Sequence, residues 1–229
     1  MRNTFADRMK AFNRSLDFRK PLPPDIAVMN PFRERPVALA CADAFCDRFY
    51  ADNRQRRMIL GINPGRHGSA VTGVPFTDFK RLRALGLAVP EGLSSHEISS
   101  EFVYRVVEDM GGADAFYKRF YLSSICPLGF LRHKGGGRWV NYNYYDDRAL
   151  EQIATPFITE MLRQQIDLGC ATDQVVVMGK KNAEFLRQLN ETHAFFGAII
   201  DVPHPRFVAQ YRRRFMDEYV DQYRLALEA

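Results

Sequence analysis

Residues 58 to 76 read Met58-Ile59-Leu60-Gly61-Ile62-Asn63-Pro64-Gly65-Arg66-His67-Gly68-Ser69-Ala70-Val71-Thr72-Gly73-Val74-Pro75-Phe76, an apolar run that breaks into a turn dense in glycine and proline. The opening residues suit a buried strand, and Asn-Pro-Gly ends it because these residue types favour turns. In open parallel α/β sheets the carboxyl edge of the strands is where ligands bind. Asn63 is the one amide at that edge and is therefore a candidate functional residue. A second cluster, Pro203-His204-Pro205-Arg206, follows another apolar run near the far end of the chain.

The rest of the chain alternates in period. From Val37 the positions Cys41, Ala44, Phe45 and Phe49 recur at helical spacing. Strands are predicted at 58–62, 120–126, 174–178 and 196–202, the second of them ended by Pro127. The ~30-residue loop after the first strand is of a length that is usually functional or holds short helices. Ser94 and Glu97 resemble a capping box for a helix through Ile98, Phe102, Val103, Val106 and Met110, which Gly111-Gly112 stops. Leu150, Ile153, Phe157, Met161, Leu162 and Ile166 line a long helix with a predicted kink at Pro156. Helices at 183–189 and 207–227 complete the pattern, and residues 127–149, with Gly135-Gly136-Gly137 as a flexible turn, read as a polar-aromatic loop. Residues 1–35 read as a packing arm, a short helix followed by extended Pro21-Leu22-Pro23-Pro24. Strands alternating with helices imply a three-layer α/β/α sandwich around a four-stranded parallel sheet, in a single domain over 1–229.

A chain of 229 residues can bury a sizeable core without staples. Its 46% hydrophobic and 26% charged residues exclude long disordered spans. The net charge of +5 points to an anionic partner. Arg206, Arg212, Arg213 and Arg214 fall within nine acid-free residues beside His204. A basic run alone is more often a solvated helix face, and its place beside a second candidate site lowers the weight of that reading. Cys41, Cys46, Cys126 and Cys170 have neither zinc-finger nor CxxC spacing and read as buried free thiols. No metal or cofactor is expected. No signal-peptide core and no run of ~18 apolar residues is present, so a cytoplasmic protein is expected.

Residues 61 to 76 resemble the first motif of the uracil-DNA glycosylase superfamily in its single-strand-selective monofunctional type, GxNPGxxGxAxTGVPF, nearly throughout. The GINPG core is also similar to that of the mismatch-specific uracil/thymine branch, and the segment lacks the GxxxxGK[ST] of a P-loop. The resemblance continues in order. Cys126-Pro127-Leu128 matches the family's Cys-Pro-Leu, the strand at Val175–Gly179 its third strand, and His204-Pro205-Arg206 a shortened His-Pro-Ser-Pro-Arg.

The resemblance implies hydrolysis of the N-glycosidic bond of deoxyuridine to leave an abasic site, with the base flipped out of single- or double-stranded DNA. It implies a monomer acting without cofactor; no lysine occupies the motifs, so monofunctional hydrolysis without strand cleavage is expected. Asn63 aligns with the residue that positions the attacking water, and His204 with the histidine that donates to uracil O2 as a neutral imidazole. Phe76 aligns with the aromatic that stacks on the base; Gly61, Ile62, Gly65, Ser124 and Arg206 align with its surroundings. Read alone, Phe76 is a core residue and His204 a structural histidine. Gln210, Tyr211, Arg212 and Arg213 fall where the family places its duplex-inserting loop.

Three positions depart from the pattern. Ser124 stands where the family has the Asn that reads the pyrimidine edge, Val71 where it has Gln, and the second motif lacks Ser-Pro. A serine hydroxyl reaches less far than an amide and discriminates less. Asn141 or Asn143 could take over that reading, and a wider range including hypoxanthine or xanthine is equally allowed. Two rivals are a DNA-lesion or nucleotide binder that has lost activity and a phosphate-binding hydrolase. Retention of Asn63 and His204 favours catalysis over the binder, and the absence of metal-ligand clusters in the sequence argues against most phosphohydrolases.

Overall fold

In the computed structural model, which describes residues 3–229, the chain opens with α1 (Phe5–Ser15) and β1 (Ile26–Met29). The first two residues of the expected arm lie outside the described residues. A capping box starts α1: Asp7 N–H donates to the Thr4 hydroxyl at 3.2 Å, and Thr4 N–H donates to the Asp7 carboxylate at 3.0 Å. There follow α2 (Pro31–Glu34), α3 (Pro36–Phe49), β2 (Arg56–Gly61), α4 (Ser69–Thr72), α5 (Phe79–Ala84), α6 (Ile98–Asp109) and α7 (Gly112–Arg119). The second half comprises β3 (Phe120–Ser124), β4 (Gly129–His133), β5 (Trp139–Tyr142), α8 (Arg148–Asp167), β6 (Cys170–Met178), α9 (Lys180–His193), β7 (Ala198–Val202), α10 (Pro205–Tyr211) and α11 (Met216–Glu228).

The central sheet has the order β3-β2-β6-β7 with every neighbour parallel. Met58, Ile59, Leu60, Leu122, Val175, Val176 and Val177 are all buried, as strands covered by helices on both faces require. This is the three-layer α/β/α sandwich expected. Register aligns Gly61 with Ser124 and Met178 with Val202, so the loops leaving all four strands start from one edge.

Several elements differ from the sequence reading. The presumed loop at 127–149 contains β4 and β5, which with β1 form a three-stranded antiparallel sheet in the order β1-β4-β5. The N-terminal arm is thus built in twice: β1 pairs with β4, and α1 buries Phe5, Ala6, Met9 and Phe12. Helix α8 is the long helix expected, with Pro156 inside it. The predicted terminal helix breaks at Arg212, and a 3-10 turn at Arg213–Phe215 redirects the chain into α11. That break lets Arg213 pair with Glu101 of α6 at 2.5 Å and lets Tyr223 pack edge-on against Phe102, centroids 4.9 Å apart. All four cysteines are buried and free. No described helix is long and apolar enough to cross a membrane.

At the foot of β2, Arg56 is completely buried. Its guanidinium donates to the carbonyls of Tyr117 (2.7 Å) and Arg54 (3.0 Å), pairs with Asp52 at 2.9 Å, and lies 4.8 Å from the ring centroids of Phe5 and Tyr50. This joins α1 to the strand that carries Asn63 at its other end. Removing one partner of a buried charge network leaves the others unpaired and leaves a void. Arg56→Ala is therefore expected to lower unfolding free energy by about 3 kcal/mol or more, read from urea denaturation.

Candidate active site

At the carboxyl end of β2 the Phe76 ring lies on Gly61. A Cβ on Gly61 would stand 2.6 Å from Phe76 Cζ, a contact no side chain tolerates. The backbone of Phe76 is itself left-handed, at φ +54. For a bulky residue this costs on the order of 1–3 kcal/mol and persists only where surrounding contacts enforce it. Those contacts are buried: Thr72 donates its hydroxyl to the Thr77 carbonyl at 2.6 Å and accepts from Val74 N–H at 3.2 Å, and Phe76 N–H donates to the Ser69 hydroxyl at 3.3 Å.

Above this ring opens a cleft of about 420 Å³, lined among others by Asn63, Glu97, Ser124, Asn141, Asn143 and His204. Its volume suits a small planar ligand. Asn63 Oδ1 is buried without a hydrogen-bond partner, and its Nδ2 has only a 3.5 Å contact with the neighbouring Pro64 carbonyl. The amide oxygen is thus a free acceptor.

His204 is the N-cap of α10, and its Nδ1 accepts the Arg206 N–H at 3.1 Å. An Nδ1 that accepts carries no proton, so the proton of the neutral ring sits on Nε2 and makes that atom the donor. Burial, reinforced by the Arg206 charge, pushes the imidazole pKa down to about 4, which keeps it neutral. Gly179, ending β6 at φ +102, would place a Cβ 3.4 Å from His204 Cβ and so backs the imidazole closely.

The turn after β2 is braced by the antiparallel sheet. Arg66 N–H donates to Asn141 Oδ1 at 3.1 Å, and the Arg66 guanidinium donates to the Trp139 carbonyl. Two glycines in the turn leave room for neighbours: a Cβ on Gly65 would meet Asn141 Nδ2 at 3.7 Å, and one on Gly68 would collide with Glu97 Oε2 at 2.1 Å. Ser124 is buried, and Gln165 of α8 holds its carbonyl through Nε2 at 3.2 Å.

The profile of the Uracil DNA glycosylase superfamily matches residues 48–228. The chain belongs to the uracil-DNA glycosylase superfamily. Among solved structures it is similar to the crystal structure of wild-type SMUG2 from Pedobacter heparinus, with 45% identity over 98% of this chain and 97% of that one and a TM-score of 0.95. The superfamily places the chain among the monofunctional DNA glycosylases of base-excision repair, with DNA as its substrate.

Of the residues that the glycosylase motifs single out, Ile62, Asn63, Gly65, Phe76, Ser124, His204 and Arg206 all line the cleft, and Gly61 lies beneath Phe76. Gln210, Tyr211, Arg212 and Arg213 do not line it; they stand exposed on α10 and the turn after it. Glu97 does not take the capping-box role that its spacing from Ser94 suggests. It is the N-cap of α6 but makes no side-chain cap, because its carboxyl turns toward Gly68. The α6 start is held instead by Asp78, whose Oδ2 accepts from Glu97 N–H at 3.3 Å and from the Ser100 hydroxyl at 3.0 Å.

Gly61→Ala must displace the Phe76 ring. The expected result is a folded protein with single-turnover base excision lowered by about 10²-fold, since small misplacements in a reacting site have that effect.

Proposed function

We propose that this cleft hydrolyses the N-glycosidic bond of deoxyuridine, and of other deaminated nucleosides, in single- or double-stranded DNA. The observation that carries the reading is the convergence, over one aromatic ring, of a free amide acceptor at Asn63 and an Nε2–H donor at His204. Cleavage leaves positive charge on the sugar and negative charge on the departing base, so both must be stabilised and a water must be held in place. The base stacks on Phe76. His204 Nε2–H donates to pyrimidine O2 as charge builds there, and Asn63 Oδ1 accepts from the water so that its lone pair faces C1′. The C1′–N1 bond electrons leave with the base and the water oxygen bonds to C1′. The proton that the water loses reaches solvent or the departing anion, because an amide cannot keep it.

Arg206 at the cleft and Arg212 beside it supply positive charge for phosphates. Tyr211 (64% exposed) and Phe207 (40%), ring centroids 6.2 Å apart with the Arg212 guanidinium over Phe207, suit contact with unstacked bases, and Phe215 (48%) is exposed in the turn that follows. Asn141 and Asn143 also line the cleft, and the Asn141 Nδ2 and Asn143 Oδ1 atoms are the amide groups that can complement the short Ser124 side chain. The protein is read as a single-domain, cytoplasmic monomer, nucleoid-associated if bacterial, with the described N-terminal arm (residues 3–35) an integral part.

The test is single-turnover excision from oligonucleotides containing uracil, hypoxanthine or xanthine, with alkali revealing abasic sites. Release of at least one base is expected, reduced by about 10²-fold or more in Asn63→Ala and His204→Ala. Because the His204 pKa is depressed to about 4, kcat/KM should show no acid limb near the ordinary histidine value and, on the acid side, should fall only as pH approaches 4. No release above the Asn63→Ala background on any oligonucleotide would sink the reading.

A further inference from the structure

Among the described residues three buried side-chain polar atoms have no hydrogen-bond partner: Asn63 Oδ1, Glu97 Oε2 and the Tyr117 hydroxyl. Two of the three belong to residues lining the same cleft. A buried polar group left unpaired costs stability, and such groups concentrate where a site uses them. The Asn63 oxygen is accounted for by the water it would hold. The Glu97 carboxyl has no such account.

We propose that Glu97 is a base-recognition residue, whose carboxyl hydrogen-bonds the adjacent N–H and C=O groups, the lactam edge, of the extruded base. The inference rests on the base pocket proposed above. Three observations support it. The backbone at Glu97 is anchored by Asp78, so the side chain starts from a defined point at the cleft wall. The carboxyl fills the space that Gly68 leaves open in the turn, and a glycine is needed there for that reason. Ser124 is the third: one hydroxyl presents a donor and an acceptor at a single atom and cannot span two adjacent groups on a base. A neutral carboxyl presents O–H and C=O side by side, which complements a lactam.

The neutral form is the one the surroundings favour. Burial and the negative charge of Asp78 push the Glu97 pKa up to about 8. Asp78 faces it from the start of α5, His96 precedes it in the chain, and His67, His204 and Arg206 line the same cleft. Because either oxygen of a carboxylic acid can carry the proton, the group accepts a lactam in either order. It thereby reads lactam-bearing bases as a class, uracil, hypoxanthine and xanthine alike. Once ionised it loses its donor and repels the anionic leaving base.

Single-turnover kcat/KM on the three oligonucleotides, between about pH 6 and pH 9, tests this with Glu97→Ala and Glu97→Gln. Glu97→Ala is expected to lose about tenfold or more on every base that the wild type releases, while Glu97→Gln, which keeps a donor and an acceptor, recovers most of that loss. The raised pKa sets the sign of the pH effect: the wild type holds its rate below about 8 and loses it above, whereas Glu97→Gln stays level. Wild-type rates in Glu97→Ala on all bases would overturn the proposal, as would an unchanged alkaline limb in Glu97→Gln. Should Glu97→Ala fail to fold, the Glu97→Gln profile alone decides. If the wild type releases no base, the glycosylase reading fails separately. Fluorescence anisotropy with the same oligonucleotides then decides: Glu97→Ala losing the preference for lactam lesions over undamaged DNA supports the proposal, and an unchanged preference overturns it.

Discussion

The close approach of the Phe76 ring to Gly61 is the constraint on which the rest of the site depends. It requires a residue without a side chain at the end of β2 and an aromatic held at positive φ. It also requires the buried Thr72 and Ser69 hydroxyls that keep the intervening turn in that shape. Asn63 lies inside this turn, so the position of its amide follows from the same packing. His204 arrives from β7 on the other side of β6, with Gly179 behind it and centroids 6.3 Å from Phe76. A parallel sheet makes that meeting possible because it delivers the ends of separate strands to one edge.

The polar groups at this edge share a property: they act uncharged. In the proposed reaction an amide holds the water and a histidine whose pKa is pushed down to about 4 donates to the base, while a carboxyl pushed up to about 8 packs against Gly68 of the turn. In a partly buried cleft beside a phosphate backbone this is chemically sensible. A positive imidazole would bind an anionic product tightly, and a negative carboxylate would oppose its formation. Neutral donors aimed at the developing charge stabilise the transition state without either cost. The positive charge sits at the cleft wall on Arg206 and beyond it on the exposed Arg212, the groups proposed to meet phosphates.

Much of this was legible in the sequence because it depends on local pattern. The strands ending at Gly61, Ser124, Met178 and Val202 are apolar runs closed by turn-forming residues, and the two motifs sit directly after two of them. The antiparallel sheet was not legible: β1, β4 and β5 are short, and Gly, Asn and Tyr in 129–145 read as loop until β1 supplies a partner from far earlier in the chain. Glu97 was misread for a related reason. Ser-x-x-Glu before an apolar run carries a local capping signature, but the carboxyl's true neighbours, Gly68 and Asp78, come from distant segments. The break at Arg212 has no glycine or proline to announce it and follows from tertiary contacts of Arg213 and Tyr223.

The central claim is that Asn63 and His204 act on opposite sides of one glycosidic bond while the base lies on Phe76. A crystal structure of the protein bound to single-stranded DNA carrying 2′-fluorodeoxyuridine, whose fluorine slows bond cleavage by opposing positive charge on the sugar, tests it most directly. The expected complex has the uracil ring stacked on Phe76, its O2 within about 3 Å of His204 Nε2, and a water bridging Asn63 Oδ1 and C1′. A base seated elsewhere, or seated there with His204 Nε2 turned away from O2, would contradict it.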